Sequence, residues 1–348
     1  MKKQHLSVLF LVLLAVTPWR SNAASLGPDI LYVGDESDST VKSFSAQTGE
    51  PGAFVTQNTG HLVGPMGLLI AGPELIVVNQ NVDLSLNGEI LQYQLKDGSF
   101  AGEWVPSSDP NAPFAPRGAV LLNGVLYVAN LTSVPDGTPG AVYVFAGNGK
   151  LLGKLTPSGD LASRFFPRGV VLNPRDGLLY VSSDPGYSPS AGPGNGGQVF
   201  KFNPSTMEYE GVFINETGGH GQLNRPEGLV FGPHGNLYIT SFRGDATDTD
   251  SIRIYNRYGH MVGEIQLDFI NQPRAFAQAL LFGPGGKLFV PISGNGPLTG
   301  EIRKYDVRTK AFDVFVKAGT LGSPFYLTFG RTNSATLEYG FQSEHERD

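Results

Sequence analysis

Short stretches in which apolar and polar residues alternate recur along the chain, and each closes on an aromatic residue. The six copies span residues 39–44, 88–93, 140–145, 197–202, 250–255 and 300–305, and their closing aromatics lie 49 to 57 residues apart. Alternation with a period of two is typical of a β-strand, and a repeat of this length is typical of a radial array of small antiparallel sheets. The pattern predicts an all-β fold, a six-bladed β-propeller with four-stranded blades.

Two further strand signals recur in phase with the first. Inner strands are predicted to begin at Pro-x-Gly motifs, because proline is tolerated as the first residue of a strand. These starts are Pro65, Pro116, Pro167 and Pro226, with looser copies at Ala277 and Pro324. Second strands are predicted from Leu-Tyr-Val-like triplets at 31–33, 75–77, 126–128, 179–181, 237–239 and 288–290.

The order of these signals predicts how the ring closes. The repeat begins on a second strand near Asp29 and ends on a first strand at 324–330. The last strand is therefore expected to complete the first blade, which removes an open sheet edge. Residues 334–341 have strand character but no predicted place in a blade.

The predicted connections differ in length on the two faces of the ring. Those between second and third strands are long at 79–87, 130–139, 184–196 and 241–250, whereas turns between first and second strands are short. In antiparallel blades the long loops share a face with the starts of the inner strands. Long loops on one rim of a rigid scaffold commonly carry binding or catalysis, so the site is predicted there.

The N-terminal residues resemble an export signal. Lys2 and Lys3 precede an apolar run at 6–16 and a small-residue site at 21–23. The run is shorter than the roughly 20 residues that a membrane-spanning helix needs. We therefore expect a signal peptide at 1–23, a single propeller domain at 24–341, a polar tail at 342–348, no membrane span, and a secreted or periplasmic location.

Charge and cysteine content exclude several classes of function. The formal net charge is −6, and loss of Lys2, Lys3 and Arg20 with the signal makes it −9. An acidic chain without a basic stripe is not expected to bind nucleic acid. The chain has no cysteine, which excludes disulfides, thiol nucleophiles and thiolate metal sites. Export without disulfides favours a bacterial periplasm or medium.

One segment carries a family resemblance. Residues 218–231 read Gly-Gly-His-Gly-Gln-Leu-Asn-Arg-Pro-Glu-Gly-Leu-Val-Phe, and 232–240 continue Gly-Pro-His-Gly-Asn-Leu-Tyr-Ile-Thr. This segment resembles the NHL repeat, and weaker copies cover nearly the whole mature chain. The resemblance implies an NHL-like six-bladed propeller, in the wider group that includes the senescence marker protein/gluconolactonase family and streptogramin lyase.

The resemblance also implies where a metal would bind. Gluconolactonase-like members hold a divalent cation at the axis, through Glu, Asn and Asp at positions like the middle of Pro-x-Gly. In this chain those positions are Met66, Arg117, Arg168, Glu227, Gln278 and Phe325. Only Glu227 matches a ligand, with Gln278 a weak substitute, and two arginines oppose a dication. We assign no metal ligands, and the cofactor is left open, with a divalent cation such as calcium as the candidate.

Arg117, Arg168 and Glu227 are the main candidate site residues. They are expected to project around the axis from three consecutive blades. Two guanidinium groups could hold a carboxylate or phosphate in a bidentate manner, beside Gln278, while Glu227 orients the ligand or acts as a base. The alternative is a structural ion network in which Glu227 neutralises the arginines.

Other polar residues could line the same mouth. Asn79, Asn130 and Asp184 lie at or just after the ends of second strands, where they could bind a ligand. Alternatively, such side chains cap turns by bonding nearby backbone groups. His220 lies in the loop before an inner strand and is a candidate base, although the sequence shows no third partner of a triad or zinc site.

Two functions remain open from the sequence. The first is an exported propeller that binds an anionic small molecule, peptide or glycan at its loop-rich mouth. The alternative is a metal-assisted hydrolase of lactonase type, or a lyase, that uses the same mouth. No Gly-x-Ser-x-Gly motif occurs, which removes one route to nucleophilic catalysis.

Overall fold

The computed structural model describes residues 29–340, except 82–84, 135–136, 185–195, 217, 219 and 295–297. The predicted signal peptide and polar tail lie outside these residues and stay predictions. None of the helices in this part of the chain is long and apolar enough to cross a membrane.

The described residues form six four-stranded antiparallel sheets. Numbered in chain order, the strands of the first half are β1 (Ile30–Asp35), β2 (Thr40–Ser45), β3 (Pro51–Val55), β4 (Pro65–Ala71), β5 (Glu74–Asn79), β6 (Glu89–Gln94), β7 (Phe100–Val105), β8 (Pro116–Leu122), β9 (Val125–Thr132), β10 (Pro139–Phe145) and β11 (Leu151–Leu155). Those of the second half are β12 (Pro167–Leu172), β13 (Leu179–Ser183), β14 (Gln198–Phe202), β15 (Tyr209–Asn215), β16 (Pro226–Phe231), β17 (Leu237–Ser241), β18 (Ser251–Tyr255), β19 (Met261–Gln266), β20 (Leu281–Phe282), β21 (Leu288–Ile292), β22 (Gly300–Tyr305), β23 (Phe312–Leu321) and β24 (Pro324–Phe329). Short 3₁₀ helices cover Thr59–His61, Gly159–Arg164, Pro233–Gly235 and Pro284–Gly286.

The sheets are the blades of a six-bladed propeller, as predicted. Blade 1 has the order β24-β1-β2-β3 from the axis outward, and blades 2 to 6 each take four consecutive strands. The predicted closure by the C-terminal strand is confirmed, because β24 pairs with β1 in the register Leu31 with Phe329 and Val33 with Leu327. The inner strand therefore comes from the end of the chain and the other three from its start.

Neighbouring blades pack through aromatic residues that recur at equivalent positions. Tyr180 contacts Phe231 of the next blade edge to face, with ring centroids 5.1 Å apart. The Phe289–Phe329 pair repeats this geometry at 5.0 Å between blades 6 and 1. Tyr238 and Phe282 make the same contact at 5.2 Å, so in three blades the aromatic residue of the Leu-Tyr-Val-like triplet contacts the end of the next inner strand, where such pairs stabilise beyond their buried area.

The Pro-x-Gly motif is a β-bulge. Pro65 pairs with Asn79 and Leu68 with Val77, so one strand has an extra residue between the two pairs. The same shift occurs in blades 3, 4 and 5. A bulge re-aims a side chain, here the middle residue of the motif. Glycine follows because a Cβ at Gly67 would lie only 2.8 Å from the carbonyl oxygen of Arg117 in the next blade.

Blade 6 departs from this pattern. Its inner strand was expected to begin at Ala277, but only Leu281–Phe282 forms a strand. The preceding residues bond the neighbouring blade instead, since the Gly228 N–H donates to the carbonyl oxygen of Gln278 at 2.9 Å. The motif here carries Ala279 in place of glycine, and this stretch does not form the regular bulged strand pairing of blades 2 to 5.

Residues 332–340 close the far end of the axial channel. Thr332 and Tyr339 form an isolated antiparallel bridge. The carbonyl oxygens of Ser334 and Ala335 accept hydrogen bonds from the backbone of Leu121 and Leu172, at 2.8 and 3.0 Å. These are the ends of inner strands, so the segment with no predicted place joins neighbouring blades. Phe341, the last residue of that predicted stretch, lies outside the described residues.

Leu337, at the turn of this segment, packs against buried clusters from several blades. We call residues 332–340 the C-terminal plug. It lies opposite the mouth, which is the face where the inner strands begin.

Candidate functional site

Six side chains form a ring around the axis at the mouth, one from the Pro-x-Gly or equivalent position of each inner-strand segment. They are Met66, Arg117, Arg168, Glu227, Gln278 and Phe325. Arg117, Gln278 and Phe325 are partly exposed, whereas Met66, Arg168 and Glu227 are buried. The structure thus brings together four of the predicted site residues, the two arginines, the glutamate and the glutamine.

Arg117 reaches across the axis. Its Nη1 donates a 3.0 Å hydrogen bond to Oε1 of Gln278, which belongs to the opposite blade. The same nitrogen lies 3.9 Å from the sulfur of Met66 in the adjacent blade. The guanidinium therefore occupies the centre of the ring, where it faces any molecule in the mouth.

Arg168 and Glu227 form an ion pair between adjacent blades, through Nη1 and Oε1. Nη2 of Arg168 lies 3.8 Å from Oδ2 of Asp184, which is also buried. Arg168 therefore stands between two carboxylates. Arg168 and Glu227 thus lie together at the axis, as the sequence predicts. The same contacts would occur in a structural ion network and in a ligand site.

The environment of Glu227 is unusual for a carboxylate. Its side chain is 2 % exposed, and Oε2 has no hydrogen-bond partner among the described residues. Burial raises the pKa of Glu227, while the charges of Arg168 and Arg117 oppose this increase. A buried carboxyl with a raised pKa and a free oxygen can accept or donate a proton at the mouth.

Tyr326 lies below the ring and was not predicted from the sequence. It is buried, and its hydroxyl has no hydrogen-bond partner among the described residues. Burial and then the charge of Glu227 raise the pKa of this phenol. A cavity of about 40 Å³ adjoins it, with Leu337 of the C-terminal plug in its wall. Such a volume has room for water beside a buried polar group.

Ser182 positions the glutamate from behind. Its Oγ accepts a 2.8 Å hydrogen bond from the Gly169 N–H and donates a 2.6 Å bond to the carbonyl oxygen of Glu227. It therefore ties the inner strand of blade 4 to that of blade 5. The only sequence signal for this role is a small polar residue near the end of a second strand, which is too common to select it.

Asn79 and Asn130 lie at the mouth, but the side-chain oxygen of each accepts a backbone N–H, and Nδ2 of Asn79 donates to the side chains of Asn81 and Glu89. Oδ1 of Asn79 accepts from the Val63 N–H at 2.9 Å, and Oδ1 of Asn130 accepts from Ala115 at 2.7 Å. Both residues are fully buried. The equivalent Ser183, Ser241 and Asp35 bond the segment before an inner strand in the same way. This geometry is the capping alternative, and a ligand role for these residues stays a prediction.

His220 lies with the acidic loop of blade 5. Its side chain is 70 % exposed, and Nε2 lies 3.9 Å from Oδ1 of Asp248. Its role as a base stays a prediction.

The ring does not suit the calcium ion that the resemblance implies. Calcium takes six to eight oxygen ligands, several of them carboxylates. The ring offers Glu227 and Gln278, and each already bonds an arginine. Across the described residues, no group of three or more His, Asp or Glu side chains is arranged to hold a metal ion. We therefore derive no step through a metal.

Comparison with known proteins places the chain among propellers of known structure. No family model and no curated protein sequence matches it. The periplasmic gluconolactonase of Pseudomonas aeruginosa matches 86 % of this chain and 98 % of its own, with a TM-score of 0.53 and 15 % identity. A provisionally assigned 6-phosphogluconolactonase of Bacteroides fragilis matches 88 % and 99 %, with a TM-score of 0.51 and 16 % identity. The predicted relation to gluconolactonase-like propellers is confirmed for the fold.

Proposed function

We propose that the mouth binds a small organic anion through Arg117 and Arg168. The observation that carries this proposal is the ring itself, in which two guanidinium groups and a buried carboxylate meet at the axis. Guanidinium groups recognise carboxylates and phosphates by paired hydrogen bonds, and they do so most strongly where water is excluded. A peptide or glycan end that carries such a group would present the same chemistry to this ring.

Hydrolysis of a sugar lactone is the second candidate, and a specific feature favours it. The fold neighbours are lactonases by name. In this reaction water adds to the lactone carbonyl, Glu227 takes the proton of that water, and the ring C–O bond breaks. The proton then passes to the departing alkoxide, and Arg117 stabilises the negative charge on the carbonyl oxygen. The product is a hydroxy acid, an anion of the class that the arginines would bind.

Export belongs to the same proposal. The charge and apolar pattern of residues 1–23 and the lack of cysteine support a protein that works in the periplasm or outside the cell. The acidic net charge argues against nucleic acid as a partner.

Binding and hydrolysis can be tested separately on the purified protein. Titration calorimetry with D-gluconate, acetate and inorganic phosphate measures anion binding, and a pH-stat with D-glucono-δ-lactone measures hydrolysis. We expect gluconate to bind, and Arg117→Gln to weaken it by about tenfold or more, since the charge is partly desolvated. If none of the three anions binds at millimolar concentration, the anion proposal is wrong. If gluconate binds and Glu227→Gln hydrolyses the lactone as fast as wild type, the catalytic role of Glu227 is wrong.

A further inference from the structure

A second pair of arginines lies beside the axial ring. Arg225 comes two residues before Glu227, and Arg274 lies in the connection from blade 5 to blade 6. Their Cζ atoms lie 5.7 and 5.5 Å from the ring centroid of Phe242, so both guanidinium groups pack on one aromatic side chain. Arg274 also lies 4.1 Å over Phe276. Two flanking aromatic rings thus fix the pair at the mouth.

Arg225 has almost none of its hydrogen-bonding capacity used. Its Nη2 donates to the carbonyl oxygen of Arg243 at 2.9 Å. Among the described residues no carboxylate lies within 4.0 Å of its guanidinium, although the side chain is half-buried. A guanidinium carries five N–H donors, so four of them have no protein acceptor in this part of the chain.

Arg274 is paired, but incompletely. Its Nη2 lies 2.5 Å from Oδ1 of Asp250, and its Nε is buried without an acceptor among the described residues. Asp250 also accepts the backbone N–H groups of Arg243 and Phe276, at 2.8 and 3.0 Å. The carboxylate of Asp250 therefore accepts hydrogen bonds from several donors. It does not form an ion pair with Arg225 in addition.

The two cations are held together at an electrostatic cost. Burial and then the charge of Arg274 lower the pKa of Arg225, and Asp184 and Asp250 oppose this effect only in part. The backbone of Arg225 is also in the left-handed region, with φ of 38°, which is uncommon for arginine. Strained backbone conformations of this kind cluster at binding sites, where the free energy of ligand binding offsets their cost.

We propose that Arg225 and Arg274 form a second anion subsite beside the axial one, so that the preferred ligand carries two anionic groups. This inference rests on the proposed function, because the first group is the one bound by Arg117 and Arg168. The two subsites are neighbours, since Arg225 comes two residues before Glu227, which pairs with Arg168. The charge of Arg168 also acts on Arg225. A linear or sugar-derived diacid is the class that fits two such subsites. Joining two anionic groups in one molecule makes the second contact intramolecular, which raises affinity without a new kind of contact.

The test is a chain-length series on the whole protein. Calorimetry compares linear dicarboxylates from malonate to azelate with monocarboxylates of the same length, at constant ionic strength. We expect one length to bind at least about tenfold more tightly than its matched monocarboxylate, a difference of about 1.4 kcal/mol. Arg225→Gln should remove this preference, so that each dicarboxylate binds no more tightly than its matched monocarboxylate. Arg225 has no ion-pair partner among the described residues. The variant therefore leaves no carboxylate there without its partner, and it should fold.

Two controls make the result specific. Arg257→Gln makes the same change of charge on an exposed turn between β18 and β19, and should keep the preference. If Arg225→Gln shows an altered circular dichroism spectrum, Arg225→Lys replaces it. That variant retains the charge, loses the planar fork, and should lower the preference by about threefold or more.

The outcomes separate this inference from the function on which it rests. Monocarboxylate binding with no preference at any length would refute the second subsite and leave the axial site standing. A preference that survives both Arg225→Gln and Arg274→Gln would also refute it. If neither series binds, and gluconate and phosphate do not bind either, the proposed function itself fails.

Discussion

Nη1 of Arg117 in blade 3 lies 3.0 Å from Oε1 of Gln278 in blade 6, so one hydrogen bond spans the axis of the ring. The partner is a neutral amide, which holds the guanidinium in place without cancelling its charge. A carboxylate at position 278 would have held the guanidinium in place and also neutralised its charge. This hydrogen bond therefore leaves the positive charge of Arg117 at the centre of the mouth uncancelled.

Gln278→Glu tests this relationship directly. The new carboxylate would pair with Arg117 and compete with an anionic ligand, so we expect gluconate affinity to fall by about tenfold or more. The melting temperature should change little, because Gln278 is partly exposed. Calorimetry and thermal melts provide the two measurements. Gln47→Glu, in the exposed turn between β2 and β3, is the matched control. Unchanged affinity in Gln278→Glu would mean that Arg117 does not contact the ligand.

A double-mutant cycle on Arg168 and Glu227 measures their ion pair. Arg168→Met leaves a buried carboxylate without its main partner, which should cost about 3 kcal/mol of unfolding free energy. Glu227→Gln should cost less, because Asp184 remains near Arg168. The double variant should be more stable than the sum of the two changes predicts, since no carboxylate is stranded. Urea unfolding of the four proteins at neutral pH gives the coupling, and strictly additive costs would count against the pair.

The stability should also depend on pH through Glu227. Its pKa is raised in the folded protein, above about 4.3 in the unfolded chain. The folded state therefore binds more protons at this site, and stability is lost as the pH rises from the unfolded pKa through the folded one. We therefore expect the free energy of unfolding of the wild type to fall, relative to that of Glu227→Gln, as the pH rises over that range. A difference that stays constant with pH would contradict the raised pKa.

The sequence was sufficient for the blades and for the ring position of each Pro-x-Gly side chain. Strand pairing follows an alternating pattern, and a repeat multiplies that signal six times. The contacts within the ring depend on side-chain reach instead. No pattern in the sequence indicates that Arg117 would cross to Gln278 while Arg168 pairs with its neighbour Glu227.

Tyr326 and Ser182 escaped prediction for a related reason. Neither belongs to a chemical motif. Ser182 gains its role from a hydrogen bond to the next blade, and Tyr326 from its place below the ring, where the charge of Glu227 acts on it. Asn79 shows the converse, since a polar residue at a predicted mouth turned out to bond the backbone. Long-range packing decides such roles, and a single sequence does not display it.

Asp35 should be essential to closure of the ring. Its carboxylate accepts the backbone N–H groups of Gly322 and Ser323, both at 2.9 Å, and the Lys42 ammonium at 2.6 Å. These bonds join the first blade to the segment that leads into β24. Removing a buried carboxylate with these partners in Asp35→Asn should cost about 3 kcal/mol of stability, as measured by urea unfolding. Thr40→Val, a milder change on β2, serves as the comparison.

The same carboxylate should make closure sensitive to acid. Burial disfavours its charge, but the bonds from Lys42, Gly322 and Ser37 outweigh burial and lower the pKa of Asp35. Its contribution to stability is present above the unfolded pKa of about 3.9 and is lost as the pH falls through the folded pKa. Wild type should therefore lose more stability below pH of about 4 than Asp35→Asn. Equal losses would show that this carboxylate does not control closure.

The C-terminal plug should stabilise the ring through Leu337. Leu337→Ala removes the contacts of a half-buried side chain with several blades, and we expect a cost of about 2 kcal/mol. Leu298→Ala is the control, because that leucine is exposed on a loop. Anion affinity should stay at the wild-type value, since the plug lies opposite the mouth. A loss of affinity with unchanged stability would place the plug in the binding site instead.

The pairing of β24 with β1 also sets the order in which the molecule is completed on the ribosome. Asp35 and Gly322 are 287 positions apart, so β1 emerges long before the strand that covers its inner edge. Until then blade 1 presents an open edge, and the other blades lack the contact that fixes their circle. Pairing of such distant segments is slow, because the intervening chain loses conformational entropy before the stabilising contacts form. We therefore expect completion of the ring to be a late folding event, with the inner edge of β1 left unpaired until the C-terminal segment arrives.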